Sequence, residues 1–423
     1  MVIDPETLGI KDNLDDDNES KNGNPQGGGS KSMNKLLMVT TIPDTLCAFL
    51  LPFSQHFRAQ GWLVDAMACG ISASAECVEA FDRVWDVQWS RNPLDPRNLL
   101  VAPQIIQEVM QQQQYDIVHV HTPVAAFVTR YALRNLRKQL SAQVVYTAHG
   151  FHFYRDGKPL RNAAFLALEK LAANWTDRLV VMNREDEEAA KRYQLISSDR
   201  IHYMPGVGVD LQYYNPEAIS QAEVERVRRE LGLAPETQLL LSVAEFIPRK
   251  HPQDVLRAFA RLGRSDVCLA FAGDGPLMAE VQELATQLGV QNQVRFLGFR
   301  KDIPTLMRAA TATVLASEQE GLPRSVMESM CLEVPVIGAS IRGIEDLLAE
   351  DCGLLVKVGD IAGFTKAIAW VLEHSQEARL MGQRGRKRMA NYDLRQVIKL
   401  HEALYAKATF TEPVVTKASL AVK

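Results

Sequence analysis

Short apolar runs alternate along the chain with longer stretches in which apolar positions recur every three to four residues. Segments 35–40, 62–67, 116–121, 143–147 and 178–182 read as strands, and 49–60, 99–113, 125–139, 160–175 and 184–193 as helices. An irregular stretch around Gly206 and Gly208 interrupts this rhythm. A second series follows, with strands at 238–243, 267–272, 294–297, 312–315 and 334–338. Its helices fall at 251–262, 277–288 and 303–309, then in the segment carrying Glu328, and end in a final helical pair. Strands that alternate with helices predict parallel, doubly wound α/β sheets, and two similar series predict two such domains facing across a cleft. We place the first domain at 33–215 and the second at 216–396. A helix at about 397–410 is expected to pack back on the first domain, and 411–423 to form a flexible tail.

Composition narrows the class. With 423 residues, 47% hydrophobic and 23% charged, the chain is long enough for two cores. The formal net charge is −4, and residues 1–32 alone hold seven acidic and three basic side chains, so the remainder is neutral and nothing points to nucleic acid. That segment, with Asp15, Asp16, Asp17 and a glycine run, is too poor in apolar residues to offset its ordering entropy and is expected to be disordered. It resembles neither a signal nor a transit peptide. The longest apolar run, 46–53, contains Pro52 and is far below the roughly 20 residues that span a bilayer. Six cysteines without metal-site spacing suit a reducing cytoplasm.

Glu320 and Glu328 flank a turn, Gly321-Leu322-Pro323, that runs into an apolar helix pattern. A helix starting there points backbone N–H groups and its positive dipole end at an anion, while two carboxylates can accept hydrogen bonds from adjacent hydroxyls. The same spacing also permits a capping box, in which Glu328 bonds only the Ser325 backbone. Arg249 and Lys250 follow a strand, where two cations could neutralise a diphosphate; alone they would be a solvated pair. Gly273 and Gly275 close the strand at 267–272, either for close approach of a ligand or as a tight turn.

Four of nine histidines, His119, His121, His149 and His152, fall at the expected carboxyl ends of two strands. Period two puts His119 and His121 on one face, a spacing used by metal-dependent hydrolases. Packing is the plain alternative for each. The helix after His121 places Arg130, Arg134, Arg137 and Lys138 on one stripe, either a solvated face or a surface for anionic lipid at about 1 kcal/mol per basic residue. Arg155, Lys158 and Arg161 add to the same half.

These segments resemble the family 4 retaining glycosyltransferases, in the branch that builds capsule, exopolysaccharide and lipid-linked oligosaccharide. The resemblance runs from about 33 to 406 and rests on the Glu320 motif with its neighbours Ala316-Ser317 and Pro335-Val336-Ile337. Further support comes from Ser90-Arg-Asn-Pro-Leu, Asp116-Ile-Val-His-Val-His-Thr-Pro, the run from Tyr146 to Tyr154, Thr176-Asp-Arg-Leu, Asn183-Arg-Glu-Asp and Gly206-Val-Gly-Val-Asp. It implies a GT-B fold, a nucleoside-diphosphate sugar donor, probed first as a UDP-sugar, retention of configuration, and no cofactor or metal. It assigns Glu328 to the ribose, Glu320 to the donor sugar, Gly321 and Leu322 to backbone N–H contacts, and Arg249 and Lys250 to the diphosphate. Gly273, Gly275 and the backbone at Phe299 would lie by the nucleotide, and His149 would contact the sugar from the opposite domain. His121, His152, Arg130, Arg134, Arg137 and Lys138 would face the acceptor or membrane. The implied acceptor is a polyprenyl-diphosphate-linked glycan or another sugar, met at the cytoplasmic face of the inner membrane. Glu245 stands where most of the family has arginine, a departure shared by exopolysaccharide members. The first strand leads into Thr41-Ile42-Pro43 without a glycine fingerprint, which argues against a hydride-transferring Rossmann enzyme. A metal-dependent hydrolase and a sugar-nucleotide epimerase on the same scaffold are the alternatives.

Overall fold

A computed structural model describes residues 33–90, 92, 95–155 and 157–409. The expected tails, and Arg91, Pro93 and Leu94 of the Ser90 segment, lie outside the described residues. The first half comprises β1 (Lys35–Val39), α1 (Pro43–Phe49), α2 (Leu51–Ala59), β2 (Leu63–Ala68), α3 (Ala75–Ala80), β3 (Val84–Asp86), α4 (Arg97–Gln113) and β4 (Ile117–Val120). It continues with α5 (Pro123–Leu133), α6 (Leu136–Gln139), β5 (Gln143–Ala148), α7 (Pro159–Ala173), β6 (Arg178–Val181), α8 (Arg184–Arg192) and β7 (Ile201–Tyr203). The second half comprises α9 (Gln221–Glu230), β8 (Gln238–Val243), α10 (Pro252–Leu262), β9 (Val267–Ala272), α11 (Met278–Gln287), β10 (Val294–Phe296), α12 (Ile303–Ala309) and β11 (Ala312–Leu315). Then come α13 (Arg324–Cys331), β12 (Val336–Ala339), α14 (Ile344–Leu348), β13 (Leu354–Val356), α15 (Ile361–Glu373), α16 (Ser375–Met389) and α17 (Leu394–Thr409).

Two all-parallel sheets result, ordered β3-β2-β1-β4-β5-β6-β7 and β10-β9-β8-β11-β12-β13. The chain reverses its direction of winding between β1 and β4 and between β8 and β11, and clefts form beyond the carboxyl ends of strands at such points. Both faces of each sheet are covered, which is why the strands read as unbroken apolar runs. In the first sheet, Leu37, Val39, Val118, Val120, Val144 and Tyr146 face α4, α5, α7 and α8. The alternate residues Leu36, Met38, Ile117, Val145 and Val180 face α1, α2, α3 and α17. The last helix thus returns to the first sheet, where Tyr405 packs against Phe57 and Trp62, with ring centroids 5.0 and 6.0 Å apart. Among the described residues, no helix is long and apolar enough to cross a membrane.

The structure departs from the expected elements where segments are short. The pattern at 125–139 breaks into α5 and α6 around Asn135, and Arg134 closes the first piece by donating to the Tyr131 carbonyl at 2.7 Å. β3, β7 and β13, each three residues long, carry too little pattern to be read in sequence.

The two halves meet through buried charge. Arg342, just after β12, pairs with Asp186 of α8 at 2.7 Å, with both side chains almost fully enclosed. The same guanidinium donates to the carbonyls of Phe151 and Phe153 in the first half and of Glu320 in the second. Burial pushes the Asp186 carboxyl up, against the pull of Arg342. Asp186 also accepts from Asn183 Nδ2 at 2.8 Å and from the Phe151 N–H at 3.2 Å, while Asn183 caps α8. Removing one partner leaves the other charged and unmatched, so Arg342→Ala should cost about 3–5 kcal/mol of unfolding free energy. Urea denaturation followed by far-UV circular dichroism measures it, and a loss under about 1 kcal/mol would refute the assignment of this pair as the inter-half tie.

Candidate active site

The loop between β11 and α13 carries Glu320. It is tied to the 3₁₀ turn Pro248–Lys250 by the Glu318 N–H, which donates to the Arg249 carbonyl at 2.9 Å. That brings both cations to the carboxylate. Lys250 Nζ lies 2.5 Å from Glu320 Oε1 and Arg249 Nη1 lies 3.9 Å from Oε2, while Glu320 itself is only 8% exposed. His251, which follows Lys250, takes φ +49°, a left-handed conformation that turns the chain sharply into α10.

Glu328 lies one turn inside α13 and is also 8% exposed. Its carboxylate accepts from Tyr214 Oη at 2.7 Å and pairs with Arg324 at 3.1 Å. The capping box is not formed. Pro323 is the N-cap of α13, no side chain closes the helix start, and Glu328 points to Tyr214 rather than to the Ser325 backbone. Burial, then the Glu328 charge, pushes the Tyr214 hydroxyl far above its ordinary range, keeping it a neutral donor. Arg324 reaches across the halves, bonding the Ala48 carbonyl and lying over the Phe49 ring, 5.6 Å from its centroid.

The His149 loop comes down on the Glu320 loop from the first half. A Cβ at Gly321 would stand 2.0 Å from the His149 carbonyl oxygen, and one at Gly343, where φ is +75°, would stand 1.7 Å from the Gly321 carbonyl oxygen. Only glycine allows these backbones to touch. His149 Nε2 bonds His121 Nδ1 at 3.0 Å, and the His119 and His121 rings lie 4.1 Å apart, as the period-two reading requires. Both nitrogens of His119 are engaged, with Tyr405 Oη at 2.5 Å and Thr147 Oγ1 at 2.7 Å. The His152 ring packs on Phe165, with centroids 5.0 Å apart. The four histidines do not converge on a point. Among the described residues no group of three or more His, Cys, Asp or Glu is placed to hold a metal ion. Thr122, directly after His121, has φ +57° and ψ 137°, a strained setting held by hydroxyl contacts of 2.9 and 2.8 Å with Thr41.

Other expected site residues fall elsewhere. Gly273 and Gly275, at φ +151° and +153°, are required by the loop after β8: a Cβ would lie 2.0 Å from the Ala244 carbonyl oxygen and 2.6 Å from that of Phe246. Phe299 is exposed after β10. Leu322 packs against Gly206. The basic stripe is corrected. Arg130 is 2% exposed, pairs with Glu169 at 3.2 Å and lies over the Tyr146 ring, because α5 turns that side toward the sheet. Arg137 pairs with Asp177, Arg134 covers Tyr131, and Lys138 stays exposed. His121 is likewise buried, behind His149, rather than facing an acceptor. A cleft of about 580 Å³ opens between Tyr154, Arg155 and Glu185 on one side and Glu318, Ser340, Glu345 and Lys357 on the other, with Arg342 in its wall. Neither Glu320 nor Glu328 lines it, so the carboxylates, not this cleft, locate the candidate chemistry. The sequence reading missed Arg342, Asp186, Tyr214 and Gly343. An Arg-Gly step directly after a strand, like the Arg249-Lys250 step, was the available signal for Arg342.

Two family profiles match, one described as Glycosyltransferase Family 4 over residues 49–213 and one as Glycosyl transferases group 1 over 223–388. A Bacillus subtilis protein named as a glycosyltransferase, EpsD, is 34% identical over 357 residues, covering 84% of this chain and 91% of that protein. The chain is a family 4 glycosyltransferase. The Escherichia coli UDP-Gal:alpha-D-GlcNAc-diphosphoundecaprenol alpha-1,3-galactosyltransferase is 27% identical over 67% of this chain and 73% of its own length. Anabaena Alr3699/HepE, solved with UDP, shares the fold at TM-score 0.73 and 19% identity, over 89% of the transferase and 100% of that chain. WaaG, a glycosyltransferase involved in lipopolysaccharide biosynthesis, gives TM-score 0.69 at 18% identity over 87% of this chain and 99% of its own. These folds agree with two facing doubly wound domains.

The buried histidines of the transferase carry a pH signature. Burial lowers His149 and His401 to about 4 and His119 and His121 well below their ordinary value. His149 and His401 therefore bind their protons in the unfolded chain near pH 6.5 but in the folded chain only near 4, and folding shifts His119 and His121 in the same direction. Their contribution is complete above pH 6.5 and is lost as pH falls through that window, at up to about 1.4 kcal/mol per pH unit for each histidine. Unfolding midpoints in urea should drop between neutral and mildly acidic buffer, and His401→Phe should flatten the slope by about one proton. An unchanged slope would contradict the buried, neutral state of His401.

Proposed function

We propose that the transferase moves a hexosyl or N-acetylhexosaminyl group from a nucleoside-diphosphate sugar, a UDP-sugar in the first instance, to a lipid-linked or growing glycan acceptor. The product is cell-surface polysaccharide, exopolysaccharide or capsule, made at the cytoplasmic face of the membrane. The observation that carries this reading is the joining of Glu320 to Lys250 and Arg249 beneath the His149 loop, in the turn that leads into the helix carrying Glu328. In the donor complex the diphosphate takes over the two cations and frees Glu320 for the sugar hydroxyls, while Glu328, steadied by Tyr214, accepts from the ribose. The Escherichia coli galactosyltransferase and the UDP-bound Anabaena structure support a uridine nucleotide and a lipid-diphosphate acceptor.

Transfer with retention follows as a front-face substitution needing no metal. The bond from the anomeric carbon to the diphosphate oxygen breaks, the acceptor oxygen bonds that carbon on the same face, and the acceptor proton passes to the departing diphosphate. Lys250, Arg249 and the amide-lined start of α13 stabilise the charge that develops on the leaving group. His149, neutral at physiological pH because it is buried, offers a hydrogen bond to the sugar without competing for the diphosphate. Exclusion of water by the closed cleft favours the acceptor over hydrolysis.

If Glu328 makes two charge-assisted hydrogen bonds of about 1.5–3 kcal/mol each, Glu328→Gln should weaken UDP binding by about one to two orders of magnitude. Calorimetric titration with UDP, beside thermal denaturation of the same variant, measures it. Unaltered affinity, or unfolding in place of weakened binding, would refute the ribose assignment.

A further inference from the structure

The outer face of α7 has the character of an interfacial helix. Leu160, Leu168 and Leu171 are 88%, 44% and 49% exposed, and Ala163, Ala164 and Ala167 are exposed between them. At about 100° per residue these six positions share one face, on a helix whose opposite side is held by Leu166, Ala172 and Ala173 against the first sheet and by Glu169 against Arg130. The two edges of the stripe are basic: Arg161 stands on one side and Lys170 on the other, both exposed, and Arg155 and Lys158 precede the helix. Beside it, Trp175 packs its ring on Tyr131, under the guanidinium of Arg134. Exposed leucines in a continuous face, cations on both margins and aromatic rings alongside are the combination that places a helix in a lipid headgroup layer.

We infer that the exposed face of α7, and not the α5 stripe from which Arg130 has been withdrawn, is the surface on which this transferase rests on an anionic bilayer. The inference depends on the proposed lipid-linked acceptor for its purpose, but not for its physics. α7 begins at Pro159, shortly after the His149–Tyr154 loop, so a bilayer against α7 sets the lipid end of an acceptor near that loop.

Flotation of the full chain with vesicles of equal parts phosphatidylcholine and phosphatidylglycerol at low salt tests it. Wild type should float, and less so as salt is raised. Leu160→Glu with Leu168→Glu, and separately Arg161→Glu with Lys170→Glu, should each lower the partition coefficient about tenfold or more. Both pairs lie away from Glu320 and Glu328, so UDP affinity should not change. Flotation of the leucine variant equal to wild type, or failure of wild type to float, overturns the inference. So does a wild-type dimer that the leucine substitutions split, since the face would then be covered by a second copy. A wild type that floats but binds no UDP would instead count against the donor assignment alone.

Discussion

The buried contact of Arg342 with Asp186 sets the geometry on which everything else rests. One guanidinium holds a carboxylate and two carbonyls from the first half and the Glu320 carbonyl from the second. Arginine can do this because its donors form a rigid planar fork that stays charged in a low-dielectric setting. The neighbouring glycines complete the tie. Gly321 lies between the His149 carbonyl and Gly343, with no space for a side chain on either side. A site assembled from two domains needs its reacting groups fixed to fractions of an ångström, and packed backbone with a buried ion pair supplies that better than exposed side chains.

Charge around this tie is arranged in two zones. On the second-half side, Glu320 neutralises Lys250 and approaches Arg249, so the cations are already gathered before an anion arrives. Cations already held in position reduce the reorganisation that binding an anion there would require. On the first-half side, burial keeps His119, His121, His149 and His401 neutral. The uncharged imidazoles add no positive charge opposite Lys250 and Arg249, while still bonding to one another and to Tyr405 and Thr147.

Much of this was legible in the sequence because it depends on local pattern. Strands buried on both faces announce themselves as apolar runs, and those at 238–243, 267–272 and 312–315 match the structure residue for residue. The Glu320 turn was visible for the same reason, since a glycine and proline break between a strand and a helix is a local signal. Contacts that depend on three-dimensional proximity were not legible. Tyr214 is 114 residues from Glu328 and Asp186 is 156 from Arg342, and nothing in either sequence segment names the other. The basic stripe shows the opposite failure. Spacing grouped Arg130 with Arg134, Arg137 and Lys138, but a helix face read without its neighbours cannot reveal that Glu169 and the Tyr146 ring lie beneath one of the four.

The chain crosses between halves twice, and the two crossings lie side by side. The Val209 N–H donates to the Tyr392 carbonyl at 2.9 Å and the Leu394 N–H to the Val209 carbonyl at 3.0 Å, while Gly208, at φ +80°, leaves no space beside Leu394 for a Cβ. Any opening of the cleft turns both crossings together. α17 begins at this point and packs on the first sheet through Val397, Ile398, Leu404 and Tyr405, so the second crossing cannot swing independently. Resistance to opening is then concentrated at the opposite contact, where Arg342 and Gly321 meet the His149 loop. A rotation that separates the halves must expose the Arg342–Asp186 pair to water, so any such opening is coupled to breaking a buried ion pair.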